Sequence, residues 1–359
     1  MAQPKILIFN PVDKSGTSHR QLEEAGCQLV FGQDSWRIPG RSHEEEMCRM
    51  AEGVDASIGS SLRNCPITRR VLTISDRLRI VAKYNIGVDD VDVEAATETG
   101  ILVTHCPTEA NWGGVAEGTV AMMLALLKKI RERDDHLKAG GWRDQFLEGT
   151  YLGARQEDGF PGITVGIVGM GRIGRRVAEL LTPWRVRILA YDPYIQPSQL
   201  AQWGTDPVDL LALLREADVV TLHVVLTRET RHMIGREELA MMKPSAVLIN
   251  TSRGETVDEK ALVEALGLRR IRAAALDTFV KEPLPLDSPL RQLGYQVLLS
   301  PHMGSANAGG GLAPAIPWAT RSVLAALRGQ VPDNVYNKTV IPRWLERFGG
   351  RSVLSSGSP

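Results

Sequence analysis

Residues 164–181 read TVGIVGMGRIGRRVAELL. A short apolar run leads into Gly169-x-Gly171-x-x-Gly174, after which Ile173, Val177, Leu180 and Leu181 recur at the spacing of one helix face. The glycine pattern alone is weak in a glycine-rich chain; the strand before it and the helix after it give it meaning. Gly169 permits a tight turn, Gly171 lets a pyrophosphate approach the backbone, and Gly174 lets the helix pack on its strand. The helix N-terminus offers unpaired N–H groups to an anion. Arg172 either adds charge there or is a solvated arginine. The stretch predicts a strand-turn-helix unit that binds a dinucleotide.

The following apolar run ends in LAYDPY, which places Asp192 eighteen positions after Gly174. A carboxylate there accepts from ribose hydroxyls and repels a 2′-phosphate, favouring NAD over NADP. The plainer reading is a turn-initiating aspartate before Pro193. From 162 to 302, six strand candidates alternate with helical stretches: TVGIVG, VRILAYD, DVVTLHV, AVLIN, RAAALDTF and YQVLLSPH. That is a complete doubly wound dinucleotide-binding unit.

Residues 1–106 alternate in the same way through KILIFN, CQLVFG, DASIGSS, LRIVAKYN and ILVTHC. Continuous apolar runs of this length belong to parallel strands covered on both faces. The expected class is therefore α/β, with two doubly wound parallel-sheet domains. After Pro107, the stretch GGVAEGTVAMMLALLKKIRERDDHLKAGGW predicts one long helix. Beyond His302, IPWATRSVLAALRGQ predicts a helix in a piece too short to be a domain, expected to return to the first lobe. The expected organisation is a discontinuous substrate domain (1–106 and 303–345), an inserted NAD-binding domain (107–302) and a flexible Gly/Ser-rich tail (346–359).

Charge and composition narrow the partners. Among 359 residues, Lys plus Arg and Asp plus Glu each number 42, with no block of one sign, so nothing marks a nucleic-acid or anionic membrane surface. No apolar stretch reaches membrane-spanning length, and the N-terminus lacks the basic start and apolar core of a secretory signal. Cys27, Cys48, Cys65 and Cys106 show neither C-x-x-C nor a His-Cys spacing suited to zinc. Reduced thiols, no metal and a cytoplasmic location are expected, with a small molecule as ligand.

Three strand ends in the second half carry groups suited to 2-oxo acid chemistry. Ligands of open α/β sheets bind beyond the carboxyl ends of strands, so Arg253 after AVLIN, Asp277 and Glu282 in ALDTFVKEPLP, and His302 after YQVLLSP could converge. A guanidinium grips a carboxylate and polarises a neighbouring carbonyl. As hydride reaches the carbonyl carbon, the oxygen must receive a proton. A carboxylate beside an imidazole favours the protonated ring that supplies it. Taken singly, each residue has a duller explanation: a turn-satisfying arginine, a solvated glutamate before Pro283, a structural histidine. Together, in a unit that binds NAD, they point to hydride transfer, with Glu282 tuning and His302 donating.

GMGRIG, YDP, INTSRGETVDEKALVEAL, ALDTFVKEPLP and SPHMGSA, in that order, resemble the D-isomer-specific 2-hydroxyacid dehydrogenases, the group that includes phosphoglycerate dehydrogenases, glyoxylate reductases and D-lactate dehydrogenases. The resemblance implies a catalytic trio of Arg253, Glu282 and His302. It also implies an NAD site lined by Arg172, Ile173, Asp192, Val224, Thr251 and Asp277, with the turn through Gly304 near the nicotinamide. The substrate loop resembles KYNIGVDDVD, where the N–H groups of Ile86 and Gly87 would hold the substrate carboxylate. Asn85 stands where the family commonly has glycine, so it should touch the substrate or shrink its pocket. Trp112, the Gly113-Gly114 pair and Gly118, where histidine is usual, depart as well, and Val225 replaces a usual proline. A homodimer through the helix after Pro107 is implied. The expected activity is NAD-dependent exchange of hydride with a 2-oxo or D-2-hydroxy acid. The alternatives are an NAD-sensing corepressor-like scaffold and phosphite-type oxidation; the formate relatives carry glutamine in place of Glu282.

Overall fold

The computed structural model describes residues 3–33, 36, 42–62, 65–308 and 311–354. Two compact units make up the chain: residues 1–111 with 308–359, and residues 112–307.

The first unit is built on β1 (Lys5–Asn10), β2 (Gln28–Phe31), β3 (Ala56–Gly59), β4 (Ile80–Lys83) and β5 (Leu102–Thr104). They form one parallel sheet in the order β2-β1-β3-β4-β5. β3, β4 and β5 are buried along their whole length, which is why their sequences are mostly apolar and show no inside-outside alternation. Ile6, Ile8, Ile58 and Ile80 share one core with Ala319, Val323 and Leu327 of the helix Ile316–Leu327, so the C-terminal segment completes this unit. The expected free tail is shorter than its composition suggests. The helix Ile341–Phe348 runs past 346, Trp344 is fully buried and donates from Nε1 to the Arg79 carbonyl (2.9 Å), and Leu354 packs into the same core. Apolar anchors override the Gly/Ser content here; residues 355–359 lie outside the described ones.

The second unit holds β6 (Thr164–Val168), β7 (Arg187–Tyr191), β8 (Asp206–Pro207), β9 (Val219–Leu222), β10 (Val247–Asn250), β11 (Ala273–Leu276) and β12 (Val297–Leu299). All are parallel, in the order β12-β11-β10-β9-β6-β7-β8. Six of these seven strands are the six expected; β8 is a polar two-residue edge strand with no apolar run to announce it. The chain leaves β6 toward β7 on one side and returns to β9 on the other, so the crevice of a doubly wound sheet opens between β6 and β9.

The single long helix expected after Pro107 is two. Glu109–Leu127 stops, Lys129 takes a left-handed backbone (φ 53°), and Ile130–Lys138 restarts. The break is tertiary. Thr150 donates its N–H to the Leu127 carbonyl (2.8 Å), and Lys128 Nζ donates to the Thr150 carbonyl (2.7 Å), capping the first helix from a distant segment.

Candidate active site

The glycine loop forms as its spacing requires. Gly169 has φ 92°, and a Cβ there would fall 2.6 Å from the His223 carbonyl oxygen at the end of β9, so only glycine fits between the two diverging strands. A Cβ on Gly174 would lie 2.1 Å from the Gly169 carbonyl, which is the close approach of helix to turn. Gly171 differs: it is exposed, it precedes the helix Arg172–Leu181, and no atom lies within 4 Å of its would-be Cβ. Arg172 is exposed at the first position of that helix, and Ile173 is half-buried behind it. This is a cradle open to a phosphate group, with N–H donors at its base.

Asp192, just past β7, is half-buried. Its Oδ2 accepts from the Met170 N–H (2.9 Å) and its Oδ1 from the Tyr194 N–H (3.0 Å). The carboxylate thus both makes the turn that its position before Pro193 suggested and fastens the end of β7 to the glycine loop. Each oxygen retains a lone pair. A dinucleotide with its pyrophosphate at Gly171 and its adenosine ribose at Asp192 fits this donor and acceptor set.

Three neighbouring strands, β10, β11 and β12, deliver the next groups side by side. At the end of β10, the buried Asn250 organises the loop that follows: its Nδ2 donates to the Arg253 carbonyl (2.8 Å), and its Oδ1 accepts from Ser252 N–H (3.0 Å) and Oγ (2.8 Å). Thr251 Oγ1 pairs with Thr119 Oγ1 of the long helix (2.9 Å). Arg253 Nη1 donates to the Ser252 carbonyl (2.7 Å). The next residue, Gly254, lies so close to the chain after β11 that its Cβ would sit 2.0 Å from the Phe279 carbonyl carbon. Phe279 in turn donates its N–H to Glu282 Oε1 (2.9 Å), and Glu282 Oε2 faces His302 Nδ1 at 2.9 Å. The glutamate is 9% exposed and the histidine 39%, so the carboxylate is the sheltered partner and the ring reaches outward.

Asp277, 3% exposed beyond β11, brackets the turn that carries the ring. Its Oδ1 accepts from Ser300 Oγ (2.5 Å) and Met303 N–H (2.9 Å), and its Oδ2 from Gly304 N–H (2.9 Å). Between those donors His302 adopts φ 56°, a left-handed backbone uncommon for a residue with a side chain. A Cβ on Gly304 would meet Asp277 Oδ2 at 2.8 Å, and one on Gly118 would meet the Gly304 carbonyl at 3.0 Å. The absence of a side chain at 118 thus answers to the turn packed on it.

His223 went unnoticed in the sequence. Its Nε2 pairs with Thr221 Oγ1 (3.0 Å), its Nδ1 is buried without a partner among the described residues, and burial pushes its pKa down to about 3. Val224 beside it is half-buried along the Gly169 turn, whereas Val225 is exposed.

In the first unit, the loop after β4 holds Asn85, Ile86 and Gly87. It is anchored by a buried ion pair: Lys83 Nζ donates to both oxygens of Asp90 (2.8 and 2.6 Å). Burial pushes the Lys83 pKa down, against the opposing pull of Asp90. The N–H groups of Ile86 and Gly87 find no acceptor among the described residues. Ser61, which links this loop to β3, was invisible in the sequence reading because it lies far from Asn85 along the chain.

Residues 120–304 match the sequence profile of the D-isomer specific 2-hydroxyacid dehydrogenase NAD-binding domain. The chain is 36% identical over 342 residues to a glyoxylate reductase of Korarchaeum cryptofilum, covering 94% of this chain and 97% of that one. The chain belongs to the D-isomer specific 2-hydroxyacid dehydrogenase family. A D-3-phosphoglycerate dehydrogenase of Methanocaldococcus jannaschii is 38% identical over 347 residues, 96% of this chain but 61% of that protein's length. A crystal structure of a glyoxylate reductase from Paecilomyes thermophila superposes with a TM-score of 0.80 at 26% identity, covering 94% of this chain and all of the other. The 112–307 unit is accordingly the family's NAD-binding domain, and NAD is its cofactor.

Proposed function

We propose that the protein is an NAD-dependent oxidoreductase that reduces a small 2-oxo acid to the D-2-hydroxy acid, or runs the reverse reaction, with Arg253, Glu282 and His302 as its catalytic residues. The observation that carries this reading is the 2.9 Å contact between Glu282 Oε2 and His302 Nδ1 in the NAD-binding domain. NAD supplies or accepts the hydride. Gly169, Gly171, Arg172, Ile173 and Gly174 would hold its pyrophosphate, Asp192 its ribose, and Val224, Thr251, Asp277 and Gly304 the remaining length.

The chain's own groups manage the substrate's charge and proton. Glu282 engages Nδ1 of His302, which leaves Nε2 as the nitrogen that hands a proton to the carbonyl oxygen as negative charge grows there. Arg253 polarises that oxygen and grips the adjoining carboxylate. The N–H groups of Ile86 and Gly87, which find no acceptor among the described residues, support a carboxylate site in the substrate loop. In the hydroxy-acid direction each proton movement reverses.

A homodimer is part of the proposal. Around the helix Ile130–Lys138, Ile130, Leu137, Trp142 and Phe146 are 53%, 57%, 73% and 54% exposed, an apolar set of the kind that a second copy covers. A cytoplasmic location is proposed too; no helix among the described residues is long and apolar enough to cross a membrane. The test is NADH oxidation with a panel of 2-oxo acids, beside titration of NADH fluorescence. His302→Ala and Arg253→Ala are expected to lose at least a hundredfold in turnover while still binding NADH; full activity in either variant refutes the assignment. Sedimentation of Trp142→Glu reads the dimer.

A further inference from the structure

The amide of Asn85 is held in one orientation. Gly87 contributes only a carbonyl oxygen, which accepts from Asn85 Nδ2 at 3.0 Å. The second Nδ2 hydrogen goes to Ser61 Oγ at 2.6 Å. Ser61 has to accept that bond, because its own proton is committed to Asp90 Oδ1 (3.2 Å), a carboxylate already paired with Lys83. The hydrogen bonds that Lys83 and Ser61 both donate to Asp90 thus exclude the flipped amide. Both N–H donors of Asn85 are spent, and its Oδ1 is buried with no hydrogen-bond partner among the described residues. An orphaned buried acceptor is costly, and its cost is recovered when a donor arrives.

Resting on the reading that this loop takes a 2-oxo acid, we propose that Asn85 Oδ1 accepts a hydrogen bond from a hydroxyl on C3 of the substrate, selecting unphosphorylated 3-hydroxy-2-oxo acids. The carboxylate and the oxo group of such an acid are acceptors only, so the acceptor Oδ1 can be matched only by a substituent beyond C2. Asn85 directly precedes the two residues whose N–H groups, without an acceptor among the described residues, suit the carboxylate, which keeps its reach to the neighbouring C3 position. A 3-methyl group leaves Oδ1 unpaired, and a 3-phosphate ester brings an anion without a donor. The proposal therefore predicts rejection of both.

The experiment compares kcat/KM for hydroxypyruvate, pyruvate and phosphohydroxypyruvate in the full-length protein. The wild type is expected to favour hydroxypyruvate over the other two by roughly tenfold or more. In Asn85→Gly the hydroxypyruvate-to-pyruvate ratio should fall to about unity; a purely structural defect would lower both substrates alike and leave the ratio standing. Ser61→Ala, which frees the amide to turn while keeping Asn85, should lower the ratio as well, and decides the matter where Asn85→Gly is too inactive to measure. Equal rates on pyruvate and hydroxypyruvate in the wild type, or an unchanged ratio in the readable variant, overturn the role of Asn85 and leave the dehydrogenase reading intact. No NADH oxidation with any 2-oxo acid overturns that reading itself, and this inference with it.

Discussion

Gly254 and Phe279 meet backbone to backbone, at a distance that leaves 2.0 Å between a would-be Cβ and the Phe279 carbonyl carbon. This contact joins the arginine tip of β10 to the turn that orients Glu282, so the three groups of the proposed site share one rigid seam. Adding a single methyl there forces the two segments apart. Gly254→Ala is expected to cost about 1–3 kcal/mol of stability, as overpacking does, and to lower turnover disproportionately. Urea denaturation and NADH oxidation on the same preparation check both.

Asp192 ties the glycine loop to β7 through the Met170 N–H, so its loss acts on the cofactor twice. Asp192→Ala removes the acceptor proposed for the ribose and loosens the loop proposed to cradle the pyrophosphate. The NADH dissociation constant should rise by about tenfold, the value of one charged hydrogen bond, and NADPH should gain relative to NADH. Fluorescence titration with the two cofactors reads the shift.

The Lys83–Asp90 pair is sealed from water, with side-chain exposures of 0% and 1%. Removing one partner strands the other's charge. Lys83→Met or Asp90→Leu alone should each destabilise by about 3–5 kcal/mol, whereas the double change should recover most of that loss. A denaturation series across the four proteins tests it; additive losses in the double variant would contradict a buried ion pair.

His223, depressed to about 3 by burial, makes stability depend on acid. The unfolded chain binds a proton near the ordinary histidine value of about 6.5 while the folded chain does not, so its contribution is intact above that pH and is lost as pH falls from there toward the folded value. Between pH 7 and 5 the wild type should lose up to about 2 kcal/mol more than His223→Asn. Urea midpoints at the two pH values give the difference directly.

The glycine loop was legible in the letters because glycine has few reasons to recur at that spacing between a strand and a helix; Gly169 and Gly174 each meet a distinct steric demand, and Gly171 leaves the approach to the loop open. The strand ends bearing Arg253, Asp277 and His302 could be read for a similar reason: apolar runs that stop abruptly mark one edge of a parallel sheet. What stayed hidden depends on distant partners. Lys128 and Lys129 are good helix formers, yet the helix breaks there because Thr150 takes the Leu127 carbonyl. The fixed amide of Asn85 depends on Ser61, and the burial of His223 Nδ1 on neighbours that no local pattern names. Residues 346–354 looked loose by composition and are held by Trp344, Phe348 and Leu354.

The bracket that Asp277 forms around residues 300–304 has an evolutionary corollary. His302, the proposed proton donor, takes its stance from a carboxylate just past an interior strand of one unit, whereas the loop bearing Asn85 lies in the other. On the proposed reading, substitutions in the Asn85 loop can retune which acid is accepted without touching the bracket that sets the His302 ring.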